Sequence, residues 1–94
     1  MNNLIVLNKN DNVGVSQFII PEKTKIEGYE ISTIDPIPFG HKVCLKTIKK
    51  GDPIIKYDQI IGFALDDIKP GQHVHSHNLE FREFKRDFKV TDKK

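Results

Sequence analysis

The sequence predicts a mainly-β single domain built on a long hairpin folded over on itself. Three observations carry that expectation. The first eighty residues break into short runs rich in Ile, Val and Tyr, separated by turn clusters bearing Gly or Pro. Little of that length has the spacing of an amphipathic helix. The segment Ile48-Lys49-Lys50-Gly51-Asp52-Pro53-Ile54 is echoed twenty residues later by Ile68-Lys69-Pro70-Gly71-Gln72-His73-Val74. Each copy runs from an apolar residue through a basic residue and a turn glycine into a β-branched residue. The echo covers one turn and its flanks, so it does not imply a solenoid. It predicts two similar turns placed pseudo-symmetrically in a folded-back hairpin.

Leu4–Leu7 reads as a first strand, closed by the polar turn cluster Asn8–Asn12. Val13–Ile20 fits either a strand or a single helical turn, ended by Pro21. Lys25-Ile26, then Glu27-Gly28, then Tyr29–Thr33 is a hairpin pattern. Asp35–Gly40 contains Pro36 and Pro38, which remove two backbone donors, so it reads as a linker delivering the chain to His41. His41–Lys46 is the next strand. Ile54–Tyr57 and Ile60–Leu65 follow as strands joined around Asp58-Gln59. His73–Asn78 is expected to be one strand after the Lys69-Pro70-Gly71 turn. Residues 1–80 thus form the β domain. Residues 81–94 are set apart as a basic tail, with 6 Lys/Arg against 3 Asp/Glu where the body has 9 against 10. Phe81, Phe84 and Phe88 there make one stripe of a short C-terminal helix, which either folds back on this domain or docks on a partner.

A chain of 94 residues has room for one core but not for a deep pocket of its own, so an active site would need a second surface. A net charge of +2, spread as above, argues against nucleic acid. The lone cysteine, Cys44, excludes an internal disulfide and reads as a small packing residue. Met1–Leu7 lacks the basic and long apolar regions of a signal peptide, and no stretch approaches a membrane span. The cytoplasm is the expected location.

The residues that point to chemistry are histidines. His73, His75 and His77 alternate along the expected strand, which would place them on one face. Neutral imidazoles so spaced can share a metal, or one can bind it while another moves a proton. The plain alternative is the exposed polar face of an edge strand. The fourth histidine, His41, follows the Pro38-Phe39-Gly40 turn.

Taken in order, Phe39-Gly40-His41-Lys42-Val43, Ile48–Asp52, Ile55-Lys56-Tyr57, Ile61-Gly62 and Val74-His75-Ser76-His77-Asn78 resemble the SAF domain of the altronate/galactarate dehydratase family. The resemblance is strong over residues 36–79 and loose before them. It implies a β-clip fold. It also implies the small domain or subunit of an enzyme that dehydrates sugar acids with a divalent metal, often iron. Sulfolactate sulfo-lyase, with a similar small subunit, is the related alternative. On the motif, His41, His75 and His77 would be catalytic, with His75 and His77 the metal ligands, and Asn78 and Lys42 would bind substrate. The expected partner is a large catalytic dehydratase subunit, and a homo-oligomer is compatible. The isolated chain is expected to be inactive. The family usually has an aromatic residue where His73 stands, which argues against a ligand role for His73. It usually has glycine where Asp58 stands. A carbohydrate-binding or assembly module of β-clip type is the reading from a different class.

Overall fold

A computed structural model describes residues 4–6 and 9–80. Among the described residues every regular element is a strand. They are β1 Leu4–Ile5, β2 Val13–Ser16, β3 Lys42–Cys44, β4 Pro53–Lys56, β5 Gln59–Ala64, β6 His73–Val74 and β7 Leu79–Glu80. They form two antiparallel sheets, ordered β1-β2-β3-β6 and β4-β5-β7. The tail and its phenylalanine stripe lie outside the described residues. Among those described, no helix is long and apolar enough to cross a membrane.

One long hairpin links the sheets. At its base β3 pairs with β6, Val43 opposite His73. In its middle Ile48 and Ile68 exchange both backbone hydrogen bonds, at 2.9 and 2.7 Å. At its tip β4 pairs with β5, closed by Tyr57 and Asp58 at φ 55° and 62°. Two successive positive-φ residues make the tight turn that matches strand twist. The join is therefore one residue earlier than expected, because Gln59 already pairs with Lys56. Asp58 adopts the left-handed conformation that aspartate tolerates, and Asp11 Oδ1 accepts its N–H at 2.8 Å.

The echoed turns fold alike. Asp52 N–H donates to Lys49 C=O at 2.9 Å, and Gln72 N–H to Lys69 C=O at 3.0 Å. Gly51 and Gly71 supply the positive φ, 89° and 94°, at the third position of each. Each turn opens a strand, β4 and β6, and bends the hairpin. The likeness extends well beyond the turns. Gly51 N–H reaches Ala64 C=O at 2.9 Å, and Gly71 N–H reaches Cys44 C=O at 2.8 Å. Val13 of β2 pairs with Cys44, as Leu79 of β7 pairs with Ala64. The hairpin thus has a local two-fold axis between Ile48 and Ile68.

The core obeys the same symmetry. Its main cluster is Val13, Cys44, Ile48, Ile54, Ala64, Ile68, Val74 and Leu79. These are four equivalent pairs: Cys44 with Ala64, Ile48 with Ile68, Ile54 with Val74 and Val13 with Leu79. Cys44 is the packing residue expected, fully buried, with its thiol donating to Lys46 C=O at 2.9 Å and burial pushing its pKa up to about 12. A second cluster of Leu4, Ile20, Ile26, Ile37, Val43 and Leu45 packs the arm between β2 and β3 against the base.

One open alternative is decided and two expectations are corrected. Val13–Ser16 is a strand, not a helical turn, because β1 and β3 pair with it on both sides. The Asp35–Gly40 stretch is more than a linker: Ile37 is buried and pairs with Ile20. The His73–Asn78 strand stops at Val74, and residues 75–78 form a turn into β7. Period-two alternation therefore does not set the faces of His75 and His77.

Candidate metal and proton-transfer site

The turn after β6 is held by Asn78. Its Oδ1 accepts the His75 N–H at 2.9 Å, and its Nδ2 donates to the His73 C=O at 2.9 Å. Its own N–H donates to His75 C=O at 3.0 Å, and its C=O accepts the Leu65 N–H at 3.0 Å. The side chain is 5% exposed. Asparagine suits this position because its amide offers both a donor and an acceptor to the backbone.

His41 enters from the opposite strand of the base. The Pro38–His41 turn delivers it, with His41 N–H donating to Pro38 C=O at 3.0 Å and His41 C=O accepting the Ser16 N–H at 2.9 Å. His73 lies one pairing away, opposite Val43, and its N–H donates to Asp35 Oδ2 at 3.1 Å. The two imidazoles meet: His41 Nδ1 and His73 Nε2 are 2.9 Å apart and share one hydrogen. His75 stacks on His41 with ring centroids 4.4 Å apart. One nitrogen from each of His41, His73 and His75 lies within 4.8 Å of the others. His77 stands outside that trio, its ring tilted against that of His73 with centroids 5.3 Å apart. His41 and His73 are half-buried, and His75 and His77 are exposed, so the cluster lies on an open face.

This electrostatic setting favours neutral imidazole. Burial holds His73 below the ordinary histidine range, helped by His41, His77 and His75 and opposed by Asp35. His75 is also held below it, through local desolvation first, then His41, Lys42 and His77. Lys42 is itself lowered, by burial and then by Lys56. Neutral imidazole is the form that binds a metal or accepts a proton.

The donor set fits a divalent transition ion. Nitrogens bonded to one tetrahedral ion at about 2.0–2.1 Å lie about 3.3–3.4 Å apart, so the trio, whose ligand atoms lie within 4.8 Å of one another, would close by up to about 1.5 Å through side-chain rotation. The 2.9 Å pair could serve once the hydrogen it shares moves to the far nitrogen of its ring. The hollow lined by Leu4, Val6, Glu27, Gly28 and Tyr29, about 330 Å³, shares no residue with the histidines and holds no comparable set of donors.

The family model of the altronate/galactarate dehydratase SAF domain matches residues 2–82. The chain belongs to that family. This SAF domain is 39% identical over 82 residues to altronate dehydratase of Bacillus subtilis (strain 168), covering 85% of this chain and 16% of the relative. It is 40% identical over 70 residues to altronate dehydratase of Escherichia coli (strain K12), covering 72% of this chain and 14% of the relative. It is 52% identical over 44 residues to the (2R)-sulfolactate sulfo-lyase subunit alpha of Paracoccus pantotrophus, covering 47% of this chain and 66% of that subunit. The SAF domain therefore spans a small fraction of the dehydratases and about two-thirds of the sulfo-lyase subunit.

Of the residues singled out from sequence, the fold gathers His41 and His75 beside His73, with His77 at the margin of the group and Lys42 near enough to lower the His75 pKa. Asn78 lies beneath them, its amide committed to the turn. Sequence reasoning did not anticipate Asp35, which anchors the His73 peptide from thirty-eight residues away. An acidic residue just before Pro36 was its only signal. It also set His73 aside on the family pattern, whereas the fold puts His73 at the centre of the cluster.

Proposed function

We propose that this chain is the SAF part of a sugar-acid dehydratase of the altronate/galactarate type. It contributes its histidines to a metal-dependent site completed by a large catalytic chain. The observation that carries the reading is the convergence of His41, His73 and His75 on an open face of a SAF domain. An open face suits a site closed by a second surface.

The reaction is loss of water from a 2,3-dihydroxy acid. A base takes the proton beside the carboxylate, the carbon–oxygen bond at the next carbon breaks, and an acid protonates the departing hydroxyl. His41, His73 and His75 would hold a divalent ion, which when bound supplies Lewis-acid stabilisation of the developing enediolate charge. His77, exposed beside the trio, serves as the acid or base. Lys42 attracts the substrate carboxylate. Asn78 acts by fixing the His73–His75 backbone, so its contribution to substrate is positional.

A second reading, the alpha subunit of a sulfolactate sulfo-lyase, is favoured by the 52% identity and by the 66% share of that subunit covered. Co-expression with a large dehydratase-like chain, followed by assay on altronate, galactarate and sulfolactate, separates the two. Turnover of a sugar acid supports the first reading, and turnover of sulfolactate alone supports the second. Metal-dependent turnover by the purified chain alone would overturn the composite site.

A further inference from the structure

We infer that His41, His73 and His75 form a three-nitrogen site that takes a borderline first-row divalent ion, such as Zn²⁺ or Co²⁺, on this chain alone. His73 is the residue that completes it. The inference rests on the proposed metal role of the cluster and deepens it in two ways. It names the class of ion, and it gives a ligand role to a residue that the family pattern leaves aromatic.

Preorganisation is the first argument. Each histidine backbone is fixed before any ion arrives. His41 is held by its turn and by Ser16, His73 by its pairing with Val43 and by Asp35, and His75 by the Asn78 amide. A site built on fixed elements does not need metal to assemble its donors.

Donor chemistry is the second. Among the described residues the group is all imidazole, with no carboxylate in it. Imidazole suits zinc, cobalt, nickel, copper and iron, whereas magnesium and calcium prefer oxygen. Three histidines with further positions open to solvent is the arrangement of a reactive rather than a purely structural centre.

The third argument is that the fold does not require these residues. Their equivalents across the two-fold axis are Ile61, Pro53 and Ile55, on the same backbone with no ligand atom in their side chains. Packing therefore does not explain imidazoles at 41, 73 and 75.

The test uses the untagged 94-residue chain. Co²⁺ is titrated in while the visible d–d spectrum is recorded, and Zn²⁺ binding is measured by calorimetry, with Mg²⁺ as the oxygen-seeking control. One ion per chain is expected, with no Mg²⁺ binding at matched concentration. Outer partners of metal ligands are worth about 10–100-fold in affinity, so losing a ligand should cost at least about 100-fold. His73→Phe and His75→Ala should each show that loss, while His77→Ala stays near the parent affinity. The exposed His75 keeps the test decisive should His73→Phe fail to fold. No ion bound by the parent chain, equal binding of Mg²⁺, or parent-like affinity in a folded His73→Phe would overturn the inference. So would an equal loss in His77→Ala. Failure here beside an active reconstituted enzyme removes this site and leaves the proposed function standing. Tight binding beside a reconstituted enzyme inactive on every substrate does the reverse.

Discussion

At one end of the hairpin Asn78 holds the peptide groups of His73 and His75. At the other, Asn12 holds those of Pro53 and Ile55, and every contact has its counterpart. Asn12 Oδ1 accepts Ile55 N–H at 2.7 Å, its Nδ2 donates to Pro53 C=O at 3.0 Å, its N–H donates to Ile55 C=O at 3.1 Å, and its C=O accepts Leu45 N–H at 2.8 Å. The same amide doing the same work where there are no histidines identifies it as scaffold. The histidines occur at one end only, so the fold does not demand them. The ends also differ in cover. The arm between β2 and β3 closes over the Gly71 turn, where Ile34 N–H donates to Gly71 C=O at 2.8 Å, while the Gly51 turn is open. The comparison separates what builds the domain from what the domain carries.

The largest effect should come from unequal cover of the two turns. A Cβ at Gly51 meets nothing within 4 Å, whereas one at Gly71 would run into the Ser32 carbonyl oxygen and press on Ile34 N. Gly51→Ala should cost about 1–2 kcal/mol for the positive φ alone. Gly71→Ala should cost distinctly more, about 3 kcal/mol or beyond, since backbone must also move. Urea unfolding of both measures this, and equal losses would show that the arm yields freely.

Next come the two asparagines. Asn78→Ala leaves two part-buried peptide groups of the His73–His75 turn unpaired, a cost of about 2–3 kcal/mol at the lower end of about 1–3 per buried group. Asn12→Ala should lose less, because its site is only half-buried. A stable Asn78→Ala that had lost only reconstituted activity would return Asn78 to the substrate.

The histidines should behave in the opposite way. His75→Ala and His77→Ala are expected to abolish reconstituted dehydratase activity, by about 100-fold or more, and to change stability by under about 0.5 kcal/mol, as for exposed positions. Parent-like activity in both would make the cluster ordinary surface.

The smallest effect concerns pH. His73 and His75 have folded pKa values below those of the unfolded chain. The unfolded state therefore binds more protons as pH falls below about 6.5, and stability, full above that value, declines towards the folded pKa. The melting temperature should drop modestly between pH 7.5 and 5.5, and less so in His73→Phe. A rise on acidification would mean that the cluster gains protons on folding.

Much of this was legible in the chain. Paired glycines and the β-branched residues after them, twenty apart, announced the two bent turns, because turn φ and strand propensity are local properties of those residues. The order of Gly40-His41-Lys42, Lys49-Lys50-Gly51-Asp52 and His75-Ser76-His77-Asn78 was enough to indicate the family. Local pattern could not place the histidines relative to one another. Alternation put His73, His75 and His77 on one face. A turn intervenes after Val74, because the Asn78 amide competes successfully for the backbone groups that a continuing strand would have used. Nor could spacing reveal that His41, thirty-two residues before His73, lies 2.9 Å from it. That contact exists because β3 and β6 are partners at the base of the hairpin, and strand pairing is a long-range choice made by burial of Val43 and Val74. The sequence by itself determined the paired glycine turns, the mainly-β character and the kind of side chain available for chemistry. Tertiary pairing alone decided which three imidazoles come together.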